Sequence, residues 1–227
     1  MIVDGAKIAS MSDIGDMRVF ATKEDMKHTA EVAMKYGCKS VFVLKCYADY
    51  VKELIKGSGV GLEFSVCNNA GSDDTAVKVA GAKRYLEMGL DEVEMYLNFS
   101  YLKSKMYKEA IADIRAVRDV MPKDMIMKVI IQTPALTDEE IATASKIVID
   151  GGADYVKTGN GEFGCTTVKH VELISKAIGK DGLIKCSIPA SLDDVYAWLD
   201  IDRVDRLGLT TWGFLDLYEE ANKRTGK

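Results

Sequence analysis

Short apolar runs rich in β-formers alternate with amphipathic stretches along nearly the whole chain, and this alternation restricts the fold more than any other feature. The runs fall at residues 40–44, 62–66, 92–97, 126–132, 155–158, 183–187 and 203–209, with a weaker one at 13–19. Amphipathic stretches lie at 22–36, 47–56, 74–88, 105–120, 137–150, 168–178 and 191–199. The runs read as continuously apolar rather than alternating, which predicts parallel strands covered on both faces. Eight strands with seven helical stretches between them predict an α/β fold of the (β/α)8 TIM-barrel type, and an open doubly wound sheet is the competing arrangement.

Local signals agree with this reading. Thr22 and Thr137 each precede acidic residues, so a hydroxyl cap and carboxylates meet the positive end of a helix. Gly89, Gly152 and Gly179 stand where helices should stop. With only three prolines and no Ser/Gly-rich linker, the chain reads as a single domain over residues 1–227 with a short N-terminal extension. A closed barrel can use that whole length.

A hydrophobic content of 48% provides for a large core, and a net charge of −5 without a basic stripe argues against a nucleic-acid partner. The five cysteines are scattered, which suggests reduced thiols. No His/Cys/Asp cluster has ligand spacing, so neither a metal nor another cofactor is expected. The start Met-Ile-Val-Asp-Gly-Ala-Lys lacks an apolar leader, and no apolar run approaches ~18 residues. A cytoplasmic protein without a membrane partner is therefore expected.

Three of the apolar runs contain a lysine: Lys128, Lys157 and Lys185. A buried ammonium is poorly solvated, so its pKa falls, and a second cation lowers it further. A neutral lysine can attack a carbonyl to form a Schiff base. Two such lysines on successive strands need either anions or a function, and Glu94 could serve as a purely structural partner. Lys157, Lys185, Glu94, Asn98, Thr158, Ser187, Thr210 and Thr211 all fall late in or just after their runs. In a barrel that places them at the carboxyl ends of the strands, where active sites form.

These residues also carry a resemblance. The stretches Asp91-Glu-Val-Glu94-Met-Tyr-Leu-Asn98, Leu102-Lys103-Ser104, Lys128-Val-Ile-Ile-Gln-Thr, Leu136-Thr-Asp-Glu-Glu and Gly152-Ala-Asp-Tyr-Val-Lys157-Thr, with Gly57-Ser-Gly-Val, resemble the deoxyribose-phosphate aldolase family. The likeness runs from about Asp13 to Gly213 in one register. It implies a class I, metal-independent aldolase on a (β/α)8 barrel that cleaves 2-deoxyribose 5-phosphate to acetaldehyde and glyceraldehyde 3-phosphate, or runs the reverse addition. It also implies that Lys157 is the Schiff-base lysine, Lys185 the second lysine and Glu94 the proton-relay acid. Asp13, Lys128, Thr158, Gly161, Ser187, Thr210 and Thr211 would meet a small aldehyde or sugar-phosphate substrate. A homodimer is a reasonable assembly for such a barrel.

Departures from the family pattern gather at the site. The relay acid is Glu94 where the family has Asp, and a methylene moves a carboxylate by up to ~1.5 Å. The family's Ser-Gly-Gly-Ile reads Cys186-Ser187-Ile188-Pro189, which loses two glycines and one N–H donor. Its Gly-Thr-Ser-Ser-Gly reads Gly208-Leu-Thr210-Thr211-Trp212-Gly213. Cys67-Asn68-Asn69-Ala70-Gly71 replaces Gly-Phe-Pro-Leu-Gly, Asp13-Ile-Gly replaces Asp-His-Thr, and Phe42 replaces a cysteine. A phosphate grip built from glycine amides is thus largely lost, so the acceptor end is expected to differ; retained contacts through Gly161, Ser187, Thr210 and Thr211 are the alternative. Other imine chemistry, as in a dehydratase or a transaldolase-like transfer, and a silent metabolite-binding barrel also stay open.

Overall fold

A computed structural model describes residues 1–227. Eight parallel strands close into a barrel in sequence order: β1 (Ser12–Gly15), β2 (Ser40–Phe42), β3 (Gly61–Ser65), β4 (Glu92–Tyr96), β5 (Ile126–Ile130), β6 (Tyr155–Lys157), β7 (Leu183–Ser187) and β8 (Val204–Thr210). β8 pairs with β1, with Asp13 beside Gly208, and closure leaves no open edge. The open doubly wound alternative is thereby excluded.

Between the strands run α2 (Lys23–Tyr36), α3 (Ala48–Ile55), α4 (Thr75–Glu87), α6 (Tyr107–Arg118), α7 (Asp138–Asp150), α8 (Val168–Ile178) and α9 (Leu192–Leu199). Full capping boxes form at Thr22 with Asp25 and at Thr137 with Glu140, satisfying helix-end N–H groups that would otherwise be orphaned. The backbone at Gly89 and Gly152 turns left-handed just past α4 and α7, a conformation in which a Cβ is strained.

Three helices were not expected. α1 (Gly5–Ala9) makes up part of the N-terminal extension, α5 (Phe99–Lys103) follows β4, and α10 (Thr211–Thr225) follows β8. The last begins directly at the strand end, with Thr210 as cap accepting from the Gly213 N–H at 3.0 Å. α1 is held on α10, where Gly5 N donates to Asn222 Oδ1 at 2.9 Å. A Cβ at position 5 would come within 2.7 Å of Tyr218, so only glycine allows this approach. No helix is long and apolar enough to cross a membrane.

The strands differ from expectation on one face. Val41, Val93, Val129, Val156 and Ile184 are buried in the shared apolar core. Positions of the opposite parity carry Asp13, Glu63, Glu92, Glu94, Lys128, Lys157, Lys185 and Arg206, which bond to one another inside the barrel. Side chains on a strand alternate between faces, so an apolar layer meets the helices while a charged layer fills the barrel. Barrels of this type ordinarily fill that space with branched apolar side chains. The strands are covered on both faces, but not by apolar residues on both.

Candidate active site

Four carboxylates face four cations in the barrel. Lys128 donates to Asp13 at 2.7 Å and also bonds Glu63 and Glu92. Lys185 lies 2.7 Å from Asp13, 2.8 Å from Glu63 and 2.7 Å from Glu94. Arg206 bridges Asp13 at 2.7 Å and Glu92 at 2.9 Å. Lys157 donates to both Glu94 oxygens, at 2.8 and 2.6 Å. Matching of charge is what makes the layer tolerable, because an unpaired ion in so dry a space costs several kcal/mol.

The three lysines look alike in sequence, yet their surroundings separate them. Burial would lower Lys185, but Asp13, Glu63 and Glu94 together hold it well above the usual lysine range. Lys128 is likewise raised, by Asp13 and Glu63 against its burial. Lys157 is moved the other way. Its burial, reinforced by the Lys185 ammonium, outweighs the attraction of Glu94 and lowers its pKa. Glu94 serves several cations at once: against its own burial, Lys157, Lys185 and Lys128 hold its carboxyl at about 2. Its charge is therefore shared rather than given to Lys157 alone. Glu63 is pushed up, by burial first and by Asp13 second, whereas Lys128, Lys185 and Arg206 hold Asp13 well below the carboxylate range despite its burial.

Above this layer opens a cavity of about 310 Å³. Lys157 reaches it most openly, with 10% of its side chain accessible against 1% for Lys185 and 0% for Lys128. Lys157 Nζ lies 5.4 Å from the centre of the Phe42 ring, which forms a wall beside the amine.

Of the residues singled out in the sequence, Asp13, Glu94, Lys157, Lys185, Ser187 and Thr210 line this cavity. The longer side chain at position 94 is accommodated: Glu94 Oε1 touches Lys157 and Lys185 at 2.8 and 2.7 Å and so joins the two amines. Four others, Lys128, Thr158, Thr211 and Gly161, are not on the cavity wall. Lys128 is wholly buried among carboxylates below the cavity and holds the charged layer together. Thr158 turns its hydroxyl to Thr166 and to the Ser187 N–H, at 2.8 and 3.0 Å. Thr211 bonds Thr29 at 2.8 Å, between α10 and α2. Gly161 is exposed in the loop after β6, between Asn160 and Glu162, which do line the cavity.

Glu63, Glu92 and Arg206 were missed. Glu92 and Glu94 are two residues apart and so share a face, and Glu63 stands alone in an apolar run; both signals were available. Ile188 holds a second surprise. Its φ of +59° is left-handed, an outlier for a β-branched residue, costing roughly 1–3 kcal/mol.

Residues 9–189 match the DeoC/LacD family of aldolases. The chain belongs to that family. It is thus an aldolase, a carbon–carbon lyase. A deoxyribose-phosphate aldolase of Finegoldia magna is 37% identical over 172 residues, covering 75% of this chain and 80% of the relative. That of a Clostridium botulinum type E3 strain is 31% identical over 208 residues, covering 91% and 93%. The solved aldolase QR15 superposes with a TM-score of 0.85 at 25% identity, over 96% of this chain and 97% of that one. The DeoC/LacD match thus spans β1 to β7, including the strands that bear the three lysines.

Proposed function

We propose that this aldolase works through a Schiff base on Lys157, joining a small donor such as acetaldehyde to an aldehyde acceptor, or cleaving the product. One observation carries the reading: of three lysines in the barrel, the one that opens most to the cavity is the one whose charge is disfavoured. At its reference pKa of about 10.4, only about one lysine in 2,500 is neutral at pH 7, so a downward shift acts directly on reactivity. The relatives named deoxyribose-phosphate aldolase support a short two-carbon donor.

In the synthetic direction, neutral Lys157 Nζ bonds to the donor carbonyl carbon, and the oxygen takes a proton to give a carbinolamine. Loss of water gives the iminium. Removal of a proton from the adjacent carbon leaves an enamine, whose carbon attacks the acceptor aldehyde while that oxygen is protonated. Water then adds to the new iminium and releases product and free amine. Glu94, bonded to both Lys157 and Lys185, is placed to pass these protons, and Lys185 keeps the relay charged.

Glu94→Gln tests the division of labour. Wild type should form a new carbon–carbon bond from acetaldehyde and an acceptor aldehyde. The variant should turn over ~10²–10⁴-fold more slowly, the usual range for losing a general acid–base. Because Glu94 raises the pKa of Lys157, the variant should still be reduced onto acetaldehyde by borohydride. Unchanged turnover would remove Glu94 from the relay, and absence of a new carbon–carbon bond with wild type would remove the aldol reading.

A further inference from the structure

We infer that the acceptor half of this site takes an uncharged short aldehyde rather than a phosphorylated one; this rests on the Schiff-base reading and names its substrate class. Barrels of this fold bind phosphate with the loops after strands 7 and 8 and a nearby helix N-terminus. Here three of the N–H groups in those segments have other partners and a fourth is absent. The Ser187 N–H donates to Thr158 Oγ1 at 3.0 Å, and the Ile188 N–H to the Gly208 carbonyl at 3.3 Å. Pro189 has no N–H, and at the start of α10 the Gly213 N–H is taken by Thr210 Oγ1 at 3.0 Å.

Charge points the same way. The cations on the cavity wall, Lys157 and Lys185, are bonded to carboxylates, and the exposed residue Glu162 at the rim is negative. A second hollow of about 300 Å³ adjoins the first, sharing Ile188, Leu209 and Thr210 with it. It lies over β7, β8 and α10, and its charged residues are Asp216 and Glu220. A phosphate there would meet like charge without a free cation.

What the wall offers instead suits a neutral molecule. Ser187 is 1% exposed and lines the cavity, yet its Oγ has no hydrogen-bond partner in the protein. A hydroxyl both donates and accepts, so it complements an acceptor's own hydroxyl or carbonyl oxygen. The close packing is specific to this arrangement, because a Cβ at Gly208 would come within 2.3 Å of that oxygen. Beside it, Ile188 keeps a left-handed backbone in spite of its branched side chain, and with Phe42, Met17 and Leu209 gives the mouth an apolar wall. Strain retained at a cavity wall suggests that the side chain serves a purpose there.

The test uses the wild-type enzyme with acetaldehyde as donor, comparing glyceraldehyde with glyceraldehyde 3-phosphate as acceptor, while borohydride reduction with acetaldehyde alone reports the Lys157 adduct. The expected result is an adduct together with kcat/KM about tenfold or more in favour of glyceraldehyde, the scale of one charge-assisted contact denied to the phosphate. An adduct with equal use of both acceptors, with preference for the phosphate, or with no consumption of glyceraldehyde overturns this inference and leaves the Schiff-base reading standing. Failure to form the adduct overturns the Schiff-base reading and this inference with it.

Discussion

Lys157→Ala is expected to abolish aldol turnover, with kcat/KM falling by at least ~10⁴-fold while the barrel stays folded. The size follows from the kind of group removed. A covalent nucleophile has no substitute in the cavity, since Lys128 is sealed below it and Lys185 carries a firmly held charge. Stability should change little, because Glu94 keeps its bond to Lys185 and the lost side chain stands at the cavity edge. Steady-state kinetics and thermal unfolding, run on the same preparation, separate the two effects. Lys157→Arg is an informative companion: it retains the cation, cannot be neutral near pH 7, and should be as inactive as the alanine variant.

Lys185→Leu should act on both stability and pH dependence. The ammonium it removes is bonded to Asp13, Glu63 and Glu94, so three carboxylates lose a partner in a dry space. Breaking such a pair from one side costs about 3–5 kcal/mol. For a chain of this size that lowers Tm by roughly 6–20 °C. The sign of the accompanying pH effect is fixed by Glu63, whose pKa is already raised above its ordinary value and rises further once a cation leaves. The folded variant then binds more protons than the unfolded chain, so its stability increases as pH falls towards the ordinary glutamate range. The deficit should be smaller at pH 5 than at pH 8. A deficit that grows on acidification would contradict this assignment of the charges.

In the same variant the pH–rate profile moves. Lys185 is a like charge that disfavours protonated Lys157, and it also neutralises part of Glu94. Its loss raises the pKa of Lys157 through both neighbours. The acid limb of kcat/KM should shift to higher pH, provided turnover is measurable, and the pH at which half of Lys157 is reduced onto acetaldehyde should shift with it. A limb that stays in place would show that Lys185 does not govern the nucleophile.

The barrel was legible because its signals are local. Thr22 and Thr137 cap where a hydroxyl followed by carboxylates should cap, and Gly89 and Gly152 end helices where a left-handed backbone is needed. α10 was not legible: it begins at Thr211 with no intervening loop, so Thr210 and Thr211 read as site hydroxyls although one caps the helix and the other packs under it. The lysines stood out because a cation in an apolar run is anomalous. Their partners did not. Glu92 looks like a strand-edge residue, and Arg206 lies in a run that is polar at its start; only closure of β8 onto β1 brings Arg206 to Asp13. Reading the runs as apolar on both faces hid the period of two that the charged layer follows. Sequence could also not rank the three lysines, since the sign of each shift depends on how many carboxylates the folded barrel brings within reach.

The most direct measurement is borohydride reduction of the wild-type enzyme with acetaldehyde near neutral pH, followed by peptide mass spectrometry. The expected result is a single ethyl group on Lys157, with Lys128 and Lys185 unmodified. Modification of Lys185 in its place, or no modification of any barrel lysine, would contradict the account.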